Sequence, residues 1–205
     1  MEIGYDSKIG ENTFISRECT IGDNVKIKGN TSIETGAKIG PENQIEKDNL
    51  IGRNFRSREK CSIGVSCHIK TNVTFGADVE ILHNVRISEH TLIKDGVHIS
   101  THAQIESNCK IQENVKIDTN VYIGTMTTIK KNSTIAENSS IARNAIIGEN
   151  VTIGENVVID HDAKIPYNFR VKEGQKISAK MSKIIKESRD KMSQAFEQIK
   201  DSKIH

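Results

Sequence analysis

Residues 147–159 read IGENVTIGENVVI, with isoleucine at every sixth position, and this short stretch decides how the whole chain is interpreted. The same column runs from Ile3 to Ile177 over thirty positions without a slip in register. Its exceptions are Ser57, Phe75 and Val171. A period of six matches neither one face of an α-helix nor the alternation of a single strand. It predicts a solenoid in which each coil buries the same stripe of side chains.

Composition excludes several kinds of partner. The 205 residues carry a formal net charge of +2 with the two signs mixed along the chain, so no basic stripe indicates nucleic-acid binding. No apolar run approaches the roughly 18 residues of a membrane span, and no signal-peptide pattern opens the chain. We therefore expect neither nucleic acid nor membrane as a partner, and a cytoplasmic location.

The six positions of the repeat have distinct roles when the isoleucine is numbered position 1. Position 4 is Asn, Asp or Gly in 22 of the 29 hexapeptides, and these residues tolerate the positive φ that a type II turn needs. Each hexapeptide is therefore predicted to form a short strand at positions 5, 6, 1 and 2, followed by a tight corner at positions 3 and 4. Side chains at positions 5 and 1 should point inward, and those at positions 6 and 2 outward.

Four cysteines all occupy position 5 of the repeat, which is an inward position. They are Cys19, Cys61, Cys67 and Cys109. Free cysteine behaves as a small buried hydrophobe, so we expect these side chains to pack in the core rather than form disulfides or bind a metal.

The segment 147–159 resembles the hexapeptide-repeat signature of an acyltransferase superfamily whose fold is the left-handed parallel β-helix. The resemblance covers about residues 3–177 and implies that three hexapeptides form one triangular coil. Residues 1–177 should then form an all-β solenoid of about ten coils. Ser57 and Phe75 lie three hexapeptides apart, which predicts that an undersized and an oversized side chain are stacked neighbours sharing one volume.

Residues 178–205 depart from the repeat and follow a spacing of threes and fours that predicts an amphipathic C-terminal α-helix. Its apolar positions are Met181, Ile184, Ile185, Met192, Ala195, Phe196 and Ile199. The helix is expected to cap the open end of the solenoid, where strand edges would otherwise be bare. A second interpretation is that it also packs against partner subunits, because its apolar spacing is nearly heptad.

The outward side chains at position 6 sort into faces of different character. One column is polar throughout and is typical of a solvent face: Lys8, Lys26, Gln44, Ser62, Glu80, His98, Lys116, Thr134, Thr152 and Arg170. Another column places Phe14, Leu50, Tyr122 and Val158 outward, and large apolar side chains on a solenoid wall indicate burial against a partner. Proteins that resemble this chain are usually trimers packed side by side. The resemblance therefore implies a homotrimer with a small-molecule ligand in the cleft between subunits.

Two segments are similar to the aliphatic-x-His-Asp-x-x-aliphatic motif of hexapeptide acyltransferases that act on sugars and lipid precursors. ILHNVRI contains His83 and Asn84, and IDHDAKI contains His161 and Asp162. The resemblance implies that the histidine is a general base. It would take a proton from an amine or hydroxyl acceptor, which then attacks the thioester carbonyl of acetyl-CoA or another acyl-CoA. The pair in the middle of the solenoid, His83 and Asn84, is the preferred catalytic candidate, and His161 with Asp162 is the alternative.

Further ionisable side chains surround His83. In a coil of three hexapeptides, His83 and His102 share one corner on successive coils, and His68 and Arg86 follow just past it on the apolar face. We expect His68, Arg86 and His102 to contact the substrate. The same histidines leave open a zinc enzyme of the carbonic-anhydrase-like branch of this fold, although the histidine spacing does not match that branch. We expect no metal.

The unbroken register raises an alternative that is not enzymatic. Acyltransferases of this fold usually interrupt the repeat with a loop that closes the donor site over the neighbouring subunit. No such insertion occurs between Ile3 and Ile177. A trimeric scaffold or small-ligand-binding protein is therefore the main alternative to acyl transfer.

Overall fold

The chain forms a parallel β-solenoid of about ten turns followed by one α-helix, which confirms the predicted fold class. The computed structural model describes residues 1–202, with side chains described through residue 188 and again at 190, 191 and 194. Strands of two residues occupy positions 6 and 1 of every hexapeptide and stack into three ten-stranded parallel sheets. Within residues 1–202, no helix combines the length and apolar character that crossing a membrane requires.

Consecutive strands of each sheet lie three hexapeptides apart in the sequence, as the predicted coil requires. Sheet A contains β1 (Glu2–Ile3), β4 (Thr20–Ile21), β7 (Lys38–Ile39), β10 (Arg56–Ser57), β13 (Thr74–Phe75), β16 (Leu92–Ile93), β19 (Lys110–Ile111), β22 (Thr128–Ile129), β25 (Ile146–Ile147) and β28 (Lys164–Ile165). Sheet B contains β2 (Lys8–Ile9), β5 (Lys26–Ile27), β8 (Gln44–Ile45), β11 (Ser62–Ile63), β14 (Glu80–Ile81), β17 (His98–Ile99), β20 (Lys116–Ile117), β23 (Thr134–Ile135), β26 (Thr152–Ile153) and β29 (Arg170–Val171). Sheet C contains β3 (Phe14–Ile15), β6 (Ser32–Ile33), β9 (Leu50–Ile51), β12 (His68–Ile69), β15 (Arg86–Ile87), β18 (Gln104–Ile105), β21 (Tyr122–Ile123), β24 (Ser140–Ile141), β27 (Val158–Ile159) and β30 (Lys176–Ile177).

Every corner turns through a residue with positive φ at position 4, as the repeat predicts. These are 26 non-glycine residues with φ between 52° and 63°, and three glycines. Asparagine dominates because its short polar side chain tolerates the left-handed conformation. Stacked asparagines also bond along the solenoid axis, as where Asn132 Nδ2 donates to Asn150 Oδ1 at 3.2 Å. The corners without Asn, Asp or Gly are Glu18, Glu42, Lys60, Ser66, His90, His102 and Met126.

The smallest residue of the isoleucine column lies beside the largest, as predicted. Ser57 pairs in register with Phe75, and the ring of Phe75 packs edge to face on Phe55 with 5.0 Å between centroids. On its other side, Ser57 Oγ accepts a hydrogen bond from Asn43 Nδ2 at 2.6 Å. The small side chain thus leaves room for a buried amide whose polar atoms are paired, so the local departure from isoleucine does not open a void.

The cysteines are free and buried, which confirms their assignment to the core. Each thiol donates to a backbone carbonyl of the next coil, as Cys109 Sγ does to Gly124 O at 3.2 Å. Hydroxyl side chains at the same repeat position make the equivalent bond, for example Ser133 Oγ to Gly148 O at 2.7 Å. Burial raises the pKa of Cys109 to about 11, so the thiol stays protonated and unreactive at neutral pH.

The C-terminal helix α1 (Ala179–Ser202) replaces the strand that would follow β28 in sheet A. Ser178 caps the helix, because its Oγ accepts the Met181 backbone N–H at 3.2 Å. Ser182 lies one coil after Lys164. Its Oγ accepts the Lys164 backbone N–H at 3.1 Å, in place of the backbone carbonyl that a further strand of sheet A would supply. Ile185 packs on the core. The first turns of the helix therefore cover the end of sheet A.

Several apolar positions of the predicted helix fall outside the described residues. The side chains of Met192, Ala195, Phe196 and Ile199 and residues 203–205 lie outside the described residues. Contact of the helix with partner subunits stays a prediction.

Candidate functional site

Sheet C carries the apolar wall that the sequence predicts. Phe14 is 65% exposed, and Leu50, Tyr122 and Val158 are 36–39% exposed, although all four are large apolar side chains. They project from one ten-stranded sheet at its first, third, seventh and ninth strands. The matching column of sheet B holds no large apolar side chain. The two candidate histidine motifs lie at the two corners that border this wall.

The corner between sheets B and C, here the BC corner, contains the preferred candidate His83 between β14 and β15. Its Nδ1 accepts the backbone N–H of Val65, on the preceding coil, at 2.9 Å. A ring nitrogen that accepts an N–H bond carries no proton, so the neutral ring is protonated on Nε2. Asp23 and Asp95 accept the equivalent backbone N–H with a carboxylate oxygen. In this geometry His83 therefore behaves as a corner hydrogen-bond acceptor, and its outer nitrogen is a donor.

The substrate-binding candidates do gather near the BC corner. The His102 backbone N–H donates to His83 O at 3.0 Å, so these two residues share one corner on successive coils. His68 and Arg86 pair in register in sheet C. A shallow depression of about 330 Å³ is lined by Asn84, Arg86 and His102, and a second one of about 240 Å³ by His68 and Arg86. Arg86 thus joins two open depressions on the wall.

The corner between sheets C and A, here the CA corner, contains His161 between β27 and β28. His161 Nδ1 lies 3.0 Å from Asp162 Oδ2. A carboxylate can only accept, so Nδ1 carries the ring proton, and the Nε2 lone pair of the neutral ring is free. The hydrogen bonds from His161, and then from Asn144, lower the pKa of Asp162, which keeps this carboxylate ionised. Both side chains are exposed to solvent.

The two motifs therefore differ in a way that their similar sequences conceal. His161 has the arrangement that a general base needs, with a carboxylate fixing the tautomer and the outer nitrogen available. At the BC corner the residue after the histidine is Asn84, and the ring bonds to the backbone instead.

Sequence reasoning missed two neighbours of His161. Arg143 stands three hexapeptides before His161, and Asn144 stands the same distance before Asp162, so both belong to the adjacent coil at the same corner. Asn144 bonds to Asp162, and the positive charge of Arg143 also favours the ionised carboxylate. A search at intervals of one full coil from each motif would have found them.

Within the described residues, one chain does not bring a set of metal ligands together. In the part of the chain that the structure describes, no three His, Cys, Asp or Glu side chains lie close enough to hold a metal ion. The alternative zinc site of His68, His83 and His102 is therefore not preassembled in a single subunit.

Comparisons with known proteins concern the repeat and the fold. The family profile described as bacterial transferase hexapeptide (six repeats) matches residues 126–161. The UDP-N-acetylglucosamine acyltransferase of Francisella novicida is similar in structure, with a TM-score of 0.50 and 20% identity over 83% of this chain and 67% of that chain. The UDP-N-acetylglucosamine O-acyltransferase of Moraxella catarrhalis is similar with a TM-score of 0.46 and 16% identity, over 77% of this chain and 70% of that chain. A search of curated proteins finds no match.

The repeat, its uninterrupted stacking into three parallel sheets and the family match within 126–161 agree with one another. The family match shows hexapeptide repeats at residues 126–161, and the structural likeness shows that the chain has the fold of a hexapeptide-repeat parallel β-helix.

Proposed function

We propose that the protein transfers an acyl group from a thioester donor to a small amine or hydroxyl acceptor at the CA corner. The observation that carries this proposal is the 3.0 Å bond between His161 Nδ1 and Asp162 Oδ2, because it leaves Nε2 able to accept a proton. The similarity of the chain to acyltransferases in fold is consistent with this reaction.

In the proposed reaction, His161 Nε2 takes the proton of the acceptor N–H or O–H. The acceptor atom then forms a bond to the thioester carbonyl carbon, and the carbon–sulfur bond breaks. The thiolate leaves and receives the proton that the imidazolium holds, so the histidine returns to its starting state. Asp162 stabilises the imidazolium through the bond to Nδ1. Arg143 lies one coil before His161 at the same corner. In this proposal its guanidinium binds the phosphates of a donor such as acetyl-CoA or another acyl-CoA.

His83 with Asn84 remains the second candidate base, with His68, Arg86 and His102 as substrate contacts. For His83 to act through Nε2, the ring must give up its bond to the Val65 N–H or turn over. The proposal therefore favours His161 over His83.

The test is acetyl-CoA binding by calorimetry, followed by release of free CoA thiol in the presence of small amine and hydroxyl acceptors. The buried cysteines of the protein should add little background to a thiol reagent. We expect Asp162→Asn to slow turnover by about 100-fold, the lower end of a general-base contribution. This variant is well matched, because asparagine already occupies most corners at this position with the same positive φ.

His161→Ala should abolish turnover while His83→Ala retains most of it. The reverse result would move the site to the BC corner. Absence of any acyl-CoA binding would reject acyl transfer from CoA, and an acyl carrier protein would then be the donor to test.

We also propose that three copies pack through the wall of sheet C, so that the corner sites lie in the clefts between subunits. The exposed Phe14, Leu50, Tyr122 and Val158 support this assembly. Tyr122→Asp should reduce the mass measured by light scattering to that of smaller species. Thr134→Asp, at the same repeat position in sheet B, is the matched control and should leave the mass unchanged. Equal masses for both variants would contradict the assembly.

The four free thiols support placing the protein in a reducing compartment such as the cytoplasm.

A trimeric scaffold or small-ligand-binding protein is the second candidate. It is favoured by the uninterrupted succession of strands from β1 to β30, which leaves no loop to cover a bound acyl chain. It predicts ligand binding in the clefts without turnover.

A further inference from the structure

On the face of sheet B, three polar side chains form a hydrogen-bonded relay that the proposed acyl transfer does not use. Glu80 and His98 pair in register in β14 and β17. Glu80 Oε2 lies 2.8 Å from His98 Nδ1, and His98 Nε2 lies 3.1 Å from Ser100 Oγ. Ser100, two residues after His98, projects from the same face of the strand.

The bonding fixes the proton positions in this relay. The Glu80 carboxylate accepts from Nδ1, so Nδ1 carries the ring proton and Nε2 accepts the hydroxyl proton of Ser100. A serine hydroxyl bonded to an imidazole, which is in turn oriented by a carboxylate, is the arrangement that activates a serine nucleophile. The order of the three groups is nucleophile, base and orienting acid.

Exposure along the relay is graded. Ser100 is 8% exposed, whereas the side chain of His98 is 32% exposed and that of Glu80 is 54% exposed. The half-buried Leu82 lies three hexapeptides before Ser100 and gives the serine an apolar neighbour on the adjacent coil. Only a small or extended reagent can reach the hydroxyl, and water can reach the histidine.

A backbone donor follows the serine directly. The Thr101 N–H lies at a corner, outside the strand ladder, and it donates no hydrogen bond among the described residues. The N–H of the residue after a nucleophilic serine is a common donor to the oxyanion in serine hydrolases. Thr101 therefore supplies one candidate donor for the developing negative charge.

We infer that Ser100, with His98 and Glu80, forms a second reactive centre that attacks small activated carboxylic esters. Ser100 Oγ forms a bond to the ester carbonyl carbon while its proton passes to His98 Nε2. The carbon–oxygen bond to the leaving group breaks, and the leaving group takes the proton from His98. Water then loses a proton to His98 and attacks the acyl carbon. The bond from that carbon to Ser100 Oγ breaks, the carboxylic acid leaves, and His98 returns the proton to Ser100 Oγ.

The test is labelling of the full-length protein with a fluorophosphonate probe, mapped by peptide mass spectrometry. Ser100 Oγ displaces fluoride from phosphorus, and the hydroxyl proton passes to His98. We expect the label on Ser100. Ser88 is the internal control, because it has the same repeat position and is 9% exposed, but its Oγ donates to Glu106 Oε2 at 3.4 Å instead of bonding to an imidazole.

Variants then distinguish activation of Ser100 by the relay from mere accessibility of its hydroxyl group. His98→Gln should slow labelling of Ser100 by about 100-fold, the size of a general-base contribution. Glu80→Gln should slow it less, because water screens a carboxylate that is half exposed. Ser100→Ala should also slow the hydrolysis of p-nitrophenyl acetate, to a rate no higher than that of the His98→Gln variant. Circular dichroism checks that each variant keeps the fold. Absence of label on Ser100, equal labelling of Ser88, or labelling that His98→Gln leaves unchanged would overturn the inference.

Discussion

Met126 offers the sharpest test of how the corners stabilise the solenoid. It occupies position 4 with φ 60° and is 59% exposed, in a column whose adjacent members are Asn108 and Asn144. The left-handed conformation costs a residue with an ordinary side chain about 1–2 kcal/mol, and asparagine avoids much of this cost. We therefore expect Met126→Asn to raise the free energy of unfolding by about 1 kcal/mol.

Two further substitutions at the same position separate the contributions. Met126→Ala keeps a Cβ and should leave stability nearly unchanged, since the methionine side chain is largely in solvent. Met126→Gly relieves the backbone strain, but the unfolded chain gains conformational freedom worth about 0.4–1 kcal/mol, so its net gain should be smaller than that of asparagine. The expected order of stability is Asn, then Gly, then Ala and Met together.

The measurement is thermal unfolding followed by circular dichroism at one fixed protein concentration. A change of about 1 kcal/mol corresponds to about 2–4 °C in Tm for a chain of this size. Light scattering on each variant verifies that the oligomeric state is the same. If Met126→Asn lowers Tm, or if alanine stabilises as much as asparagine, the argument from backbone strain is wrong. The methionine side chain would then be making a contact worth more than the strain.

Three other predictions concern groups whose surroundings are fixed by the stacking. Because burial raises the pKa of Cys61 and Cys109 from 9.0 to about 11, the folded protein keeps protons that the unfolded chain releases. Stability in urea should therefore fall as the pH rises from 9 toward 11, and less steeply in the double alanine variant. Ser182→Ala should cost about 1–3 kcal/mol in urea unfolding, because a backbone N–H of β28 loses its acceptor at a buried site. A hydrogen bond from its own backbone N–H, then bonds from Ser107 and Lys70, lower the pKa of Glu89 to about 2, so Ser107→Ala should raise that pKa in an NMR titration.

Most of the fold could be predicted from the sequence because one residue type marks the same point of every hexapeptide. From the interval of six, isoleucine was predicted to form the inward stripe, asparagine to form the corners and cysteine to pack in the core. The same register predicted that Ser57 and Phe75 are neighbours, as they are. The strands are two residues long rather than the four predicted, since the ladder is interrupted by a corner in every repeat.

The chemistry of the histidines could not be predicted in the same way. His83 and His161 occupy the same repeat position in similar motifs, yet one ring accepts a backbone N–H and the other bonds to a carboxylate. Which nitrogen is free depends on side-chain rotation, which a repeat does not encode. In the relay, Glu80 and His98 are one coil apart, and Ser100 follows His98 by two residues on the same face of the strand. The three side chains are therefore recognised as neighbours only when coil stacking and strand alternation are considered together.

The stacking of every coil directly on the next has a consequence for how the length of such a protein can change. Insertion of three hexapeptides adds one coil and leaves each later residue on its own sheet. Insertion of a single hexapeptide keeps every isoleucine in the buried stripe, but it turns all later residues through one third of a revolution. Tyr122 and Val158 would then move from sheet C to sheet A, while Phe14 and Leu50 stayed behind. Insertions and deletions that preserve folding are thus whole hexapeptides, whereas those that preserve a continuous apolar wall are whole coils.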